Sequence, residues 1–116
     1  MDTRLIAAAA AAAALGLTVT RFMDLGFPAM ARSSEVITVT IGDLAFAPAD
    51  VAAHVGDTVL WRNNDILDHT ATDEAQGWDV AVPSGQSGEI VLQTPGTFAY
   101  ICRYHPNMTG TIRVSP

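Results

Sequence analysis

Three residues with metal-binding side chains lie close together near the end of the chain. Cys102, His105 and Met108 are each separated by two residues. A thiolate, an imidazole and a thioether can therefore converge from one short loop onto a single metal ion. The thioether favours copper, because zinc is held by cysteine, histidine and carboxylates, and an iron–sulfur cluster needs more thiolates than the one cysteine of this chain. The sequence predicts a copper site in this loop.

A trigonal site built from two imidazoles and one thiolate needs a second histidine. The remaining histidines are His54 and His69. His69 follows the predicted strand that carries Trp61 by a polar connection, whereas His54 comes one residue before the turn Val55-Gly56-Asp57, where exposed polar residues are ordinary. We therefore expect His69 to be the second imidazole.

Other interpretations of the same residues predict different proteins. A single cysteine in an apolar strand is more often a small buried hydrophobic residue than a ligand. Cys102 and His105 could also form a nucleophilic pair, but that would not explain Met108, and the sequence offers no nearby candidate for an oxyanion site. The three residues together at this spacing favour metal binding.

The elements that must position this loop read as short strands. Glu35 to Ile41 alternates valine and threonine with isoleucine and valine, the period-two pattern of a half-buried strand. Similar short runs separated by Gly, Pro and Asp predict further strands over residues 51–54, 58–63, 78–82, 89–92, 97–102 and 111–114. The stretch from Ile66 to Gly77 is polar and less regular. This spacing predicts an all-β protein, either an antiparallel sandwich or a barrel.

The length and charge of the chain exclude several classes of protein. With 116 residues the chain has room for one domain. A net charge of -6 argues against a nucleic-acid-binding surface, and it predicts that partners recognised through charge are basic. One cysteine leaves no possibility of an internal disulfide.

The first thirty-one residues resemble a secretory signal. Arg4 precedes an apolar, alanine-rich run, and Ala29-Met30-Ala31 supplies a small-x-small cleavage site. We therefore expect a signal peptide over residues 1–31, a domain over residues 32–116, and export to the periplasm or the extracellular space. The protein would contact a membrane only if the first segment is retained as an anchor.

An ordered series of landmarks resembles the cupredoxins, the small blue copper proteins. The series runs Leu44-x-Phe46-x-Pro48, Gly56-Asp57-Thr58-Val59-x-Trp61-x-Asn63, His69-Thr70 and Gly96-Thr97-Phe98-x-Tyr100-x-Cys102-x-x-His105-Pro106-x-Met108-x-Gly110. The resemblance implies a Greek-key antiparallel β-sandwich with one type 1 copper ion bound by His69, Cys102 and His105. It also implies that Met108 is a weak axial ligand.

The resemblance implies a soluble carrier of one electron, cycling between Cu(II) and Cu(I), rather than an enzyme. Such a carrier is expected to be a monomer that meets a donor and an acceptor redox protein, each with a basic docking surface. The alternative is an exported copper-binding module for copper storage, delivery or resistance. A structural sandwich without metal is a third possibility, and it would require the thiol to be inert.

Two residues depart from the family pattern around the first ligand. Many relatives have proline before this histidine and asparagine after it, whereas this chain has Asp68 and Thr70. The asparagine helps to tie the two ligand segments together, so Thr70 is expected to do this less well or through its hydroxyl. Asp68 is either a solvated loop carboxylate or a negative charge that lowers the reduction potential of the copper.

Overall fold

The computed structural model describes residues 32–116, and the predicted signal segment 1–31 lies outside them. Residues Ser34–Pro116 form one compact unit. This part of the chain is all-β, as predicted, and none of its residues form a helix long and apolar enough to cross a membrane. Its strands are β1 (Val36–Gly42), β2 (Ala45–Ala47), β3 (Asp50–His54), β4 (Thr58–Asn63), β5 (His69–Asp73), β6 (Trp78–Val82), β7 (Ser87–Val91), β8 (Gly96–Ile101) and β9 (Thr109–Ser115).

The strands form two sheets, which confirms the predicted sandwich. One sheet has the order β2-β1-β4-β7 and the other β3-β9-β8-β5-β6. Both sheets are mixed rather than wholly antiparallel, because β1 pairs with β4 and β3 pairs with β9 in parallel. Alternating side chains indicate which face of a strand is buried but carry no information on the direction of its neighbour, so the connections between strands decide it.

The core between the sheets contains an aromatic cluster close to the predicted metal loop. Trp61 of β4 donates a hydrogen bond from its indole Nε1 to the hydroxyl of Tyr100 on β8, at 3.1 Å. The ring of Tyr100 covers Gly110, so that a Cβ at this position would overlap the ring and only glycine fits. Tyr100 and Gly110 are register partners of β8 and β9. The two strands that flank the metal loop are thereby held close together.

Strand β5 lies in the stretch that the sequence pattern assigned to an irregular connection. All five of its residues, His69 to Asp73, are buried, although four of them are polar. It lies between β8 and β6 within its sheet. The polar residues did not show the period-two contrast by which a half-buried strand is recognised, so the pattern missed this strand.

Candidate metal centre

The loop between β8 and β9 brings three of the predicted ligands together through its own backbone. The N–H of His105 donates to the carbonyl of Cys102 at 3.2 Å, and the N–H of Met108 donates to the carbonyl of His105 at 2.9 Å. The N–H of Cys102 in turn donates to the carbonyl of Met108 at 3.1 Å, which closes the loop. The two-residue spacers matter because they place each ligand one tight turn after the previous one.

His69, the first residue of β5, meets this loop from the neighbouring strand. Its Nδ1 lies 3.6 Å from the sulfur of Cys102, and Nδ1 of His105 lies 3.8 Å from the same sulfur. Donor atoms of His69, Cys102 and His105 all lie within 4.8 Å of one another. The structure thus brings together these three sequence-predicted residues.

The separations suit a single metal ion. Bonds of about 2.0 Å to nitrogen and about 2.3 Å to sulfur, at the angle of a trigonal site, hold nitrogen and sulfur donors about 3.8 Å apart. The two nitrogen-to-sulfur distances of 3.6 and 3.8 Å lie at this value. The donor set also includes the soft thiolate that copper favours. The residues present therefore fit a type 1 copper ion.

Asp65 is a residue of this site that the sequence analysis missed. Its Oδ2 accepts a hydrogen bond from Nε2 of His69 at 2.9 Å, and its Oδ1 accepts from the N–H of Ile66 at 2.7 Å. Because a carboxylate only accepts, Nε2 of His69 carries the proton and the lone pair of the neutral ring lies on Nδ1, facing Cys102. The signal in the sequence was an aspartate four residues before the histidine, which is not specific enough to find it.

The electrostatics of the cluster favour a thiolate. Burial alone would raise the pKa of the Cys102 thiol, but hydrogen bonds outweigh burial and lower this pKa to about 6. Their sources, in decreasing order, are the N–H of Thr70, the imidazoles of His69 and His105, and the N–H of Tyr104. An imidazole stabilises the thiolate only when its Nδ1 carries a proton, so in the metal-free protein His69 does this in its protonated form, with Nε2 still donating to Asp65. Burial likewise disfavours the charged form of His69, but hydrogen bonds to Asp65 and Cys102 raise the pKa of this imidazole. The hydrogen bond from His69 in turn lowers the pKa of Asp65.

Thr70 ties the two ligand segments together through its hydroxyl. Its backbone N–H points at the sulfur of Cys102 at 3.4 Å, and its Oγ1 accepts a hydrogen bond from the N–H of Arg103 at 2.8 Å. The threonine therefore makes the link that the sequence analysis assigned to an asparagine in relatives. Of the two expectations for Thr70, the structure shows the one in which the hydroxyl makes the link.

The remaining predicted residues fall in distinct places. Cys102, His69 and Met108 are buried, with exposed fractions of 0%, 1% and 2%, whereas His105 is only partly buried. His54 lies at the end of β3, where its Nδ1 is 4.0 Å from Oδ2 of Asp57. The carboxylate of Asp68 accepts a hydrogen bond from the N–H of Ser84 at 2.9 Å and is solvent exposed. Asp68 thus holds a neighbouring loop, while Asp65 contacts the ligand.

Comparison with known proteins gives a consistent result. The model of the Cupredoxin-like domain family matches residues 6–114. Among curated relatives, the amicyanin-alpha of Methylorubrum extorquens is 33% identical over 74% of this chain and 75% of its own length. The plastocyanin of Scenedesmus fuscus is 33% identical over 63% of this chain and 89% of its own length.

Solved structures with the same fold include variants of amicyanin. A reduced amicyanin mutant is 26% identical, with a TM-score of 0.63 over 69% of this chain and 82% of the other. The Cu(I) form of another amicyanin mutant is 25% identical, with a TM-score of 0.64 over 75% of this chain and 89% of the other.

Proposed function

This chain belongs to the cupredoxin-like domain family, and from that premise we propose that it is a type 1 blue copper protein that carries single electrons. The observation that supports this most strongly is the triangle of His69 Nδ1, Cys102 Sγ and His105 Nδ1, whose nitrogen-to-sulfur edges match a trigonal copper site. When bound, the copper ion supplies a one-electron couple between Cu(II) and Cu(I).

Each ligand has a separate role in this proposal. Cys102 contributes the thiolate, which its hydrogen bonds already favour near neutral pH. His69 and His105 contribute imidazole nitrogens, and Asp65 fixes the ring of His69 in the tautomer that leaves Nδ1 free to bind. Met108 supplies a weak axial thioether from inside the protein, where its burial is compatible with this role.

The burial of the site favours electron transfer over copper delivery. A module that hands copper to another protein must let an incoming ligand reach the metal, whereas Cys102, His69 and Met108 are buried. Only His105 among the proposed ligands is partly exposed, so it offers the shortest route for an electron to the surface. The same burial keeps these three ligands away from solvent, and this supports a carrier rather than an enzyme.

The surface next to the ligands suits transient protein partners. Tyr104, which precedes His105, is 60% exposed, and Ile66, which follows Asp65, is 88% exposed. Apolar groups of this kind can be covered by a partner without permanent association. The net charge of -6 supports donor and acceptor proteins with basic docking surfaces. We propose that the carrier meets them as a monomer.

The proposed setting is outside the cytoplasm. The basic start, apolar run and Ala29-Met30-Ala31 of the sequence support a signal peptide over residues 1–31 and a cupredoxin domain over residues 32–116. The compact unit that begins at Ser34 supports a boundary at this place. Export to the periplasm or the extracellular space follows if this segment directs secretion.

Copper titration of the metal-free protein tests the proposed site. One equivalent of Cu(II) should produce an intense visible charge-transfer band, which the Cys102→Ser variant should lack because the band needs copper bound to a thiolate. A Cys102→Ser protein that still turned blue would contradict the ligand assignment.

The Met108→Gln variant should keep much of the colour and show a lower reduction potential, because a thioether favours Cu(I). Unchanged voltammetry would show that Met108 packs in the core without binding copper.

Electron exchange separates a carrier from a copper-handling module. A carrier should exchange electrons quickly and reversibly at an electrode and should lose copper slowly to a strong chelator. Rapid copper loss combined with slow electron exchange would instead favour storage, delivery or resistance.

A further inference from the structure

The pairing between β5 and β8 stops short of the metal centre. Its backbone register contains the single pair Thr72 and Ile101. Continued toward the metal, this antiparallel register would place Ala71 opposite Cys102 and then Thr70 opposite Arg103. At that position the Arg103 N–H donates to the threonine hydroxyl, at 2.8 Å. A side chain therefore continues the pairing at the level of the ligands.

The hydroxyl of Thr70 begins a chain of hydrogen bonds whose direction is fixed by the number of available protons. Thr72 Oγ1 donates to Oδ1 of Asp79 at 2.7 Å, which uses its only proton. Its 2.9 Å contact with Oγ1 of Thr70 must then be one in which Thr72 accepts and Thr70 donates. The order is therefore Arg103 N–H to Thr70, Thr70 to Thr72, and Thr72 to Asp79.

This series of hydrogen bonds returns to Arg103, the residue at which it starts. The guanidinium Nη2 of Arg103 forms an ion pair with Oδ2 of Asp79. Thr72 and Asp79 are register partners of β5 and β6, so the ring spans three adjacent segments of the sheet. We call the closed set of Thr70, Thr72, Asp79 and Arg103 the Arg103 ring. Both threonines are buried, and each uses its single hydroxyl proton within the ring.

We propose that Thr72 and Asp79 are positioning residues of the copper site, which act through the Arg103 ring to fix the separation between His69 and Cys102. The proposal rests on the proposed function. The geometry supports it because two members of the ring are sequence neighbours of proposed ligands: Thr70 follows His69, and Arg103 follows Cys102. The backbone N–H of Thr70 also points at the Cys102 sulfur, so movement of Thr70 changes a hydrogen bond to the thiolate as well as a distance.

Thr72→Val is the sharpest test, because valine keeps the shape of threonine and removes the hydroxyl. This variant leaves the hydroxyl of Thr70 without its acceptor and Oδ1 of Asp79 without its donor, while the ion pair of Asp79 with Arg103 can remain. We expect the copper-loaded variant to show a shifted charge-transfer band and a shifted reduction potential. Thr72→Ser restores the hydroxyl and should return both toward the wild-type values. Thr40→Val, at a half-buried position of β1 in the other sheet, is the matched control and should change neither.

Asp79→Ala tests the exposed side of the Arg103 ring. It also keeps the proposal testable if Thr72→Val does not fold. We expect the same direction of shift in the charge-transfer band as for Thr72→Val, but smaller, because the hydroxyl of Thr72 can turn to water. Glu89→Ala removes an exposed carboxylate from β7 in the other sheet and serves as the charge control. A band that moves equally in both carboxylate variants would overturn the proposal.

Amide exchange in the metal-free protein separates failure of the ring from failure of the proposed function. The N–H of Arg103 should exchange about tenfold faster in Thr72→Val than in the wild type or in Thr72→Ser, because the link to Thr70 is weakened. If wild-type protein binds no copper, the proposed function fails, whatever the exchange rates are. If wild-type protein binds copper, two results would overturn the positioning role. One is a Thr72→Val protein with the same charge-transfer band and reduction potential as the wild type. The other is a Thr72→Ser protein with shifts as large as those of Thr72→Val.

Discussion

The two segments that supply the proposed copper ligands are held in place by different means. The loop from Cys102 to Met108 is closed by hydrogen bonds within its own backbone. The segment that leads to His69 depends on side chains from elsewhere in the sequence: Asn63 at the end of β4 and Ser84 in the connection between β6 and β7. One half of the site is therefore a local motif, and the other half exists only in the folded sandwich.

This difference explains how the metal centre can be both compact and buried. A short loop can bring a thiolate and an imidazole together, but it cannot also shield them from water. His69 arrives on an interior strand of the sheet, with Asp65 bound to the far side of its ring. The tertiary half supplies the fixed imidazole and much of the shielding, while the local half supplies the thiolate and the proposed thioether.

Removal of His69 should have the largest effect, because it deletes the tertiary half of the ligand set. His69→Ala should weaken copper binding by more than about a hundredfold, since loss of even an outer partner of a ligand costs up to about that much. His54→Ala should bind copper like the wild type, because His54 lies beside Asp57. Copper titration followed by visible absorbance measures both. The opposite ranking of the two variants would mean that His54 is the ligand.

Asn63→Ala should destabilise the fold by loosening the approach to His69. The buried Asn63 amide donates to the carbonyls of Leu67 and Val82, and its oxygen accepts from the N–H of Asp65. Loss of these bonds should cost about 2–4 kcal/mol of the free energy of unfolding, since buried polar partners are left unsatisfied. Asn107→Ala, at an exposed position within the metal loop, should cost about 0.5 kcal/mol or less. Chemical denaturation measures both, and equal costs would remove the contrast between the two segments.

Asp65→Asn should raise the reduction potential by an amount on the order of tens of millivolts. The carboxylate of Asp65 accepts from His69, and removal of its negative charge makes the more positive Cu(II) less favourable. Asp68→Asn should produce a smaller rise, because this exposed carboxylate binds the N–H of Ser84 rather than a ligand. Voltammetry of the two variants shows whether a carboxylate must contact His69 to change the potential or need only lie near it in the sequence. A larger shift for Asp68 would show that proximity in sequence decides the potential.

The pH dependence of the metal-free protein reports on both segments at once, because groups of both segments contact the Cys102 sulfur. The folded thiol of Cys102 has a pKa of about 6, below the value of about 8.5 for an unfolded chain. Between these values the unfolded chain binds the additional proton, so stability should rise with pH across this window and the gain should be lost as the pH falls through about 6.

Ultraviolet absorbance of the thiolate and thermal unfolding measure this effect, with Cys102→Ser as the control. The Cys102→Ser protein should lack the rise in stability attributable to the thiol. An absorbance midpoint near the ordinary value for a thiol would show that His69, His105 and Thr70 do not stabilise the thiolate as the structure indicates.

The sequence pattern predicted most strands of the sandwich but missed strand β5 and the direction of two strand pairings. Strands β4 and β8 were predicted because each is a short run of strand-forming residues that follows a turn containing glycine with aspartate or proline. Strand β5 was missed because its threonines and aspartate are polar and buried, and the threonines find their partners outside the strand in β6 and the metal loop. The parallel pairings of β1 with β4 and of β3 with β9 were missed because side-chain alternation is the same in either direction.

The sequence by itself determined the chemistry of this protein, and the tertiary structure decided its geometry. Cys102, His105 and Met108 could be recognised as candidate ligands because their spacing is local and the combination of a thiolate, an imidazole and a thioether favours copper. The contact of Asp65 with His69 and the ring through Thr70, Thr72, Asp79 and Arg103 could not be recognised, because such polar residues are common in any chain. Their roles depend on which strands become neighbours, and that is settled only when the two sheets pack and every buried hydroxyl and carboxylate must find a partner.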